Sequence, residues 1–185
     1  MFVPNPMIRY FKSTIFNILA VMNRMITQIN NLTQSIGKIV SWFSILLIII
    51  IIVDVFFRYS FNITTTATFE IEWHLFGLMF MLGAAWTLEQ DKHVRVDLFY
   101  QSFGSKTKAL INLFGTLLLL IPFCWVGMVE SIDFVTHSYA QNETSPDPGG
   151  LPARYLIKAT IPLGFALLLL QGISLILTSI KTLIR

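Results

Sequence analysis

The stretch IVSWFSILLIIIIIVDVFF, Ile39 to Phe57, decides the fold. It holds no charge before Asp54, and its length matches the ~20 apolar residues that a helix needs to cross a bilayer. It lacks the polar-apolar alternation of a barrel strand, so its backbone must satisfy its own hydrogen bonds as an α-helix. Further stretches repeat the pattern at about 71–88, 110–129 and 155–177. Pro122 and Pro162 fall within the last two and mark expected kinks or loosened turns. Composition agrees, since 55% of the 185 residues are hydrophobic and only 12% charged, outside ordinary soluble usage. The expected fold class is an all-α membrane protein, with four transmembrane helices over residues 39–185 preceded by an amphipathic interfacial helix over 1–38.

That leading segment, MIRYFKSTIFNILAVMNRMITQINNLTQSIGK from Met7 to Lys38, is too broken by polar residues to span. Ile8, Phe11, Ile15, Ile18, Met22, Met25, Ile29, Leu32 and Ile36 recur at steps of three and four, with Asn23, Arg24 and Gln28 largely on other faces. It carries no acids, so Arg9, Lys12 and Arg24 are expected to meet lipid headgroups at the cytoplasmic interface. A coiled-coil-like contact with another chain is the main rival. The segment has no signal-peptide core or cleavage pattern and is expected to be retained.

Basic residues set the orientation. With the N-terminus inside, Arg9, Lys12, Arg24, Lys38, Lys92, Arg95, Lys106, Lys108, Lys181 and Arg185 share one side, against Arg58, Arg154 and Lys158 on the other. The positive-inside rule therefore predicts that both termini are cytoplasmic. A formal charge of +3 is too small to suggest a nucleic-acid partner.

The second span and its flanks read EIEWHLFGLMFMLGAAWTLEQDKHVRVD, Glu70 to Asp97, with polar groups gathered at its two ends. A helix from Glu70 to His93 separates them by about 35 Å, so these ends cannot share one ion. Glu70 and His74, one turn apart, could share a metal only if a third ligand such as His137 came from elsewhere; a wet interfacial entrance with Trp73 as anchor is the plainer reading. Around Ile48, Phe80, Leu120 and Leu168, the approximate span midpoints, the sequence has no ionisable residue. Asp54 lies four residues before Arg58 near a span end, where an i,i+4 ion pair is expected. The lone Cys124 reads as a packed thiol. No catalytic, substrate or metal site is assigned, and an enzyme is not expected, because no nucleophile and base pair is recognisable.

THSYAQNETSPDPGGLPARYLIK, Thr136 to Lys158, is the sharpest interruption in the chain. Pro146, Pro148, Gly149 and Gly150 forbid a regular helix, and Pro152 suits the first turn of the next one. Arg154 and Lys158 then stand one turn apart, either snorkelling at a helix end or facing an acidic partner.

DVFFRYSFN at Asp54, EIEWHLFGLMFMLGAAWTLEQDKHVRVDLFY at Glu70 and PGGLPARYLIKATIPLGFALLLLQGIS at Pro148 together resemble the small membrane subunit, DctQ-like, of tripartite ATP-independent periplasmic (TRAP) transporters. The resemblance covers about Asp54 to Ser174. It implies a place in the bacterial inner membrane beside a large membrane subunit, which holds the sodium and substrate sites, and a periplasmic binding protein that delivers an organic anion. No cofactor is expected on this chain. The small subunit would brace the fixed part of the large one and help to dock the binding protein. Glu72 and Trp73 at the outer rim, Arg95 and Asp97 at the inner rim, and Arg154 and Lys158 beyond the proline-rich connection are the expected contacts. Gly77, Gly83, Ala84, Ala85, Gly164 and Ala166 would permit close helix packing. The alternative, a membrane anchor of a haem-containing respiratory complex, needs axial ligands within the membrane, whereas His74, His93 and His137 lie at span ends.

Overall fold

A computed structural model describes residues 6–92, 100 and 102–184, with the side chains of 6–13 and 15 outside the described set. The described residues form helices and connections without a strand. Helix α1 runs Pro6–Phe61, α2 Thr66–Glu89, α3 Ser105–Gly115, α4 Ile121–Ala140, α5 Tyr155–Lys158 and α6 Thr160–Ile184. Four stretches are long and apolar enough to cross a membrane: Phe16–Phe61, Thr66–Glu89, Ser105–Ala140 and Tyr155–Ile184. The α1–α2 hairpin and the connection 141–154 lie at one end of this bundle, called here the hairpin end.

The amphipathic segment and the first span are one helix of 56 residues, about 84 Å long at 1.5 Å per residue. Nothing between Met7 and Asn62 is a proline or a helix-ending glycine, so no local signal stops it at Lys38. Polar side chains fasten the early part of α1 to α6. Thr33 Oγ1 donates to Gln171 Oε1 at 3.0 Å, Gln171 Nε2 to Asn30 Oδ1 at 3.2 Å, and Ser174 Oγ to the same oxygen at 2.7 Å. One helical turn or two farther on, Lys181 Nζ donates to Asn23 Oδ1 at 2.6 Å. Asn30 thus accepts twice and Gln171 both donates and accepts, so these buried polar groups satisfy one another. The face around Asn23, Asn30 and Thr33 is therefore used inside the chain, an arrangement that hydrophobic periodicity alone did not expose. Phe16, Ile18, Val21 and Leu32 on the same helix stay exposed.

Small residues line the contacts between helices, as expected where lipid removes any hydrophobic drive to associate and close approach must supply the attraction. Ala85 of α2, Cys124 of α4 and Leu168 of α6 form the buried centre, with Phe165 and Leu120 packed on it. A Cβ on Gly164 would meet the Met81 carbonyl oxygen at 2.8 Å, so α2 and α6 touch backbone to side. Gly37 of α1 lies under the Trp86 ring and Gly127 of α4 under the Phe165 ring, where an added Cβ would stand 2.5 Å and 2.6 Å from ring atoms. Gly83, by contrast, has open space around it, and Gly77 only Ile157 Cδ1 at 3.9 Å. Helix contact is thus made by Gly164, Ala84 and Ala85 among the small residues read from the sequence, and by Gly37 and Gly127, which were not.

The third span is not a regular α-helix throughout. Thr116–Leu120 is a π-helical turn between α3 and α4, with the Ile121 N–H bonded to the Thr116 carbonyl. Pro122 explains it, since its ring has no N–H and would press on the Leu118 carbonyl of a regular helix; one wider turn relieves both faults. Pro162 falls just beyond the break at Ala159 that separates α5 from α6. Helix ends also follow local chemistry. Thr65 caps α2, its hydroxyl accepting from Thr68 N at 3.2 Å. Asp91 and Asn142 close α2 and α4 in the left-handed region, with φ of 57° and 47°. In each case the next N–H reaches back five residues, Lys92 to Thr87 at 2.9 Å and Glu143 to Ser138 at 3.0 Å, which is a Schellman motif.

Candidate functional site

The most specific side-chain geometry lies at the hairpin end, where the connection 141–154 folds onto α2. Helix α2 places Glu70 just past its first turn, facing the connection that folds onto it. Glu70 is only 3% exposed. Its Oε1 accepts from Ser145 Oγ and its Oε2 from the Leu151 backbone N–H at 2.6 Å. The loop also closes on itself, Ser145 N–H to Leu151 O at 3.0 Å, Gly150 N–H to Asp147 O at 3.0 Å and Arg154 N–H to Glu143 O at 2.9 Å. Thr66 Oγ1 adds a bond to Pro148 O at 3.0 Å. Gly150 has a steric reason here, because a Cβ would collide with Ser145 Oγ and stand 3.0 Å from Glu70 Oε2. Glycine at 150 lets Ser145 reach the carboxylate.

A second tie follows two turns along. Lys158 Nζ pairs with Glu143 Oε2 and lies 3.9 Å above the Phe134 ring centroid. The Lys158 ammonium holds the Glu143 carboxyl below its ordinary value. A lowered folded pKa contributes stability above the unfolded value near pH 4.5, and that stability is lost as pH falls through the folded pKa. The melting temperature of the purified chain is therefore expected to be flat above about pH 5 and to fall below about pH 4, with Glu143→Gln removing part of that fall. An identical acid limb in the variant would show that this pair adds nothing.

The residues expected at contacts fall into distinct settings. Trp73 lies beneath Arg154, whose guanidinium carbon is 5.7 Å from the ring centroid. Lys158 is committed to Glu143. Glu72, half-buried on α2, keeps Oε1 enclosed with no hydrogen-bond partner among the described residues. Arg24 is exposed on α1. Arg9 and Lys12 lie in the first turns of α1, where side chains are outside the described set, and Arg95, Asp97 and His93 lie outside the described residues. The structure brings Trp73, Arg154, Lys158 and Glu143 around one cleft. Asp54 pairs with Arg58 as the spacing predicted. The rings of His74 and His137 turn Nδ1 to the carbonyls of Glu70 and Asp133, one turn back on their own helices, the latter at 2.8 Å. Sequence reasoning missed Glu70 as the anchor of the connection; the only signal was an acid on a span end facing a Pro-Gly loop distant in sequence.

Four helices long and apolar enough to cross a membrane, packed on a thin core, define a multi-pass membrane protein. A family model for the DctQ component of tripartite ATP-independent periplasmic transporters matches residues 47–182, most of the chain. The chain belongs to this family, and is thus the small membrane component of a TRAP transporter, a transporter part and not a member of an enzyme family. No curated protein and no solved structure matches it.

Proposed function

We propose that this chain braces the large membrane subunit of a sodium-coupled importer of an organic anion, and offers part of the surface on which the periplasmic binding protein docks. The observation that carries the reading is the pairing of apolar, exposed flanks with a stiffened hairpin end. Ile45, Ile48, Ile49 and Ile52 of α1 and Phe76 and Phe80 of α2 are exposed along the spans, available to a neighbouring membrane subunit. Mid-span positions supply no charge to bind an anion or a coupling cation, so both sites belong to the large subunit. The excess of Lys and Arg on the termini and on the connection 90–104 orients the chain with both termini in the cytoplasm and the Glu70-anchored loop in the periplasm, in a bacterial inner membrane.

Subunit or binding-protein contacts fall to Glu72, Trp73, Arg154 and Lys158 at the periplasmic rim, where Lys158 also ties Glu143 and Arg154 covers Trp73, and to Arg95 and Asp97 at the cytoplasmic rim. Arg9, Lys12 and Arg24 meet anionic headgroups of the inner leaflet. No observation favours the haem-anchor reading. The test is co-purification of the tagged chain with its large subunit, followed by transport in proteoliposomes with and without the small one. Uptake that needs both membrane chains supports the proposal. Full uptake by either membrane chain alone would overturn it.

A further inference from the structure

Two costs that the chain alone does not recover meet in one groove. Between α1 and the C-terminal half of α2 lies an open trough of about 540 Å³, walled by Val40, Ser41 and Ser44 on one side and by Phe80, Gly83 and Thr87 on the other. A Cβ on Gly83 would meet nothing within 4 Å. Glycine is the poorest helix former after proline, because ordering it costs the most backbone entropy, so Gly83 weakens α2 while serving no contact inside the chain. Gly164 and Gly37 differ, since the Met81 backbone and the Trp86 ring lie against them. The second cost is at the same groove. Trp86 lays its ring on Gly37, and its indole N–H is enclosed without an acceptor among the described residues. An enclosed donor left unpaired is unfavourable until something supplies the acceptor.

Lipid does not account for these walls. Acyl chains need no glycine beside them, whereas small residues repeated at four-residue spacing mark places where another helix comes close. Gly83 and Thr87 stand four apart on α2, across from Ser41 and Ser44 of α1. The hydroxyls of Ser41, Ser44 and Thr87 donate to the carbonyls of Lys38, Ser41 and Ala84 on their own helices, at 2.8, 2.6 and 2.7 Å, so the walls are small and already satisfied. Length also suits a helix. Met79 to Thr87 rises about 12 Å, two turns, along which a partner helix can lay side chains spaced three and four apart. The groove is continuous with the exposed apolar flank, for Ile45, Ile48 and Ile52 follow Ser41 and Ser44 at steps of three and four, and the exposed Phe80 forms one lip. We propose that this groove seats one apolar transmembrane helix of the large membrane subunit, closest to α2 at Gly83. This seat rests on the bracing role proposed above and locates it on the chain.

The test uses the two membrane chains co-expressed and purified together. A diazirine side chain in place of Ser41, on the rim, should give an adduct with the large subunit when membranes are illuminated. The same probe in place of Leu119, exposed on the third span and outside the groove, should give lipid adducts. Gly83→Leu fills the seat and should lower the co-purified large subunit by about tenfold or more, with Gly83→Ala lowering it less. The Gly83→Leu chain alone should melt no lower than wild type, because the added Cβ meets nothing and leucine favours helix over glycine, so lost association does not report unfolding. Wild-type recovery with Gly83→Leu, or large-subunit adducts from Leu119 and none from Ser41, would overturn the seat and leave the bracing role standing. A wild-type chain that never co-purifies with the large subunit removes both.

Discussion

Gly164→Val is expected to pull α2 and α6 apart and to destabilise the chain by about 3 kcal/mol or more, the upper part of the range for overpacking a tight contact. Gly164 is buried, and its Cα faces the Met81 backbone. An added Cβ would stand 2.8 Å from the Met81 oxygen and 3.1 Å from its carbonyl carbon. A flexible side chain could step aside; a helix backbone cannot without moving Ala85 and Leu168, which meet in the same core. Even Gly164→Ala should cost about 1–3 kcal/mol. The control is Gly83→Ala on α2, where nothing lies within 4 Å. There the ordinary helix preference for alanine governs, and a gain of up to about 1 kcal/mol is expected. Denaturant unfolding of both variants in detergent tests the sign reversal. Alanine stabilising at both positions would mean that α2 and α6 do not meet at Gly164.

The spans were legible because membrane crossing leaves its record in composition along the chain, where 15 residues from Ile39 to Val53 carry no charge. Pro122 was legible as a disturbance, but not as the π-helical turn Thr116–Leu120 that accommodates it, since bulge type depends on which carbonyls can find other donors. The ends were harder. Thr66–Glu89 begins five residues before the expected start, because Thr65 supplies a cap that hydropathy ignores. Ser105–Ala140 outruns its expected span at both ends, since helices continue past hydrocarbon wherever Schellman closures or caps permit. Interactions distant in sequence were not legible at all. Asn30 and Ser174 are 144 residues apart, and Glu70 and Leu151 are 81. Polar residues in a span gave a location without naming a partner, and periodicity could not say that α6 of the same chain covers the face around Asn30.

These ties bear on the division of labour in a three-part transporter. On the proposed reading as a brace, the chain transmits position only if its own ends do not yield. Toward the termini, stiffness comes from the ladder Thr33, Gln171, Asn30 and Ser174, which resists sliding of α1 along α6 because each shift breaks several bonds together. At the hairpin end it comes from Glu70 and Lys158. The middle needs little of its own, since Ala85, Cys124 and Leu168 hold the helices by contact and the exposed isoleucines and phenylalanines leave the outer faces to lipid or a partner.

Glu70→Ala is accordingly expected to release the connection 143–151 while leaving the spans folded. Both donors that converge on the carboxylate lose their acceptor, and the Leu151 N–H has no second partner in the loop's own bonding pattern. An unsatisfied donor in a buried setting opens the segment that carries it, and cleavage at Glu143 or Asp147 by an acid-specific protease should rise by about tenfold or more, since proteolysis follows the population of the opened loop. Glu70→Gln should show a smaller rise, because one amide oxygen can still accept while the amide nitrogen faces a donor. Ser145→Ala removes only one bond and should change cleavage least. Gly150→Ala should mimic Glu70→Ala, since its methyl would occupy the place of Ser145 Oγ beside the carboxylate. If this loop helps to dock the binding protein, the same order of variants should appear in its affinity for the assembled membrane subunits, with the melting temperature of the spans nearly unchanged. Equal cleavage in wild type and Glu70→Ala would mean that the loop is held by its own bonds alone, and that α2 merely lies beneath it.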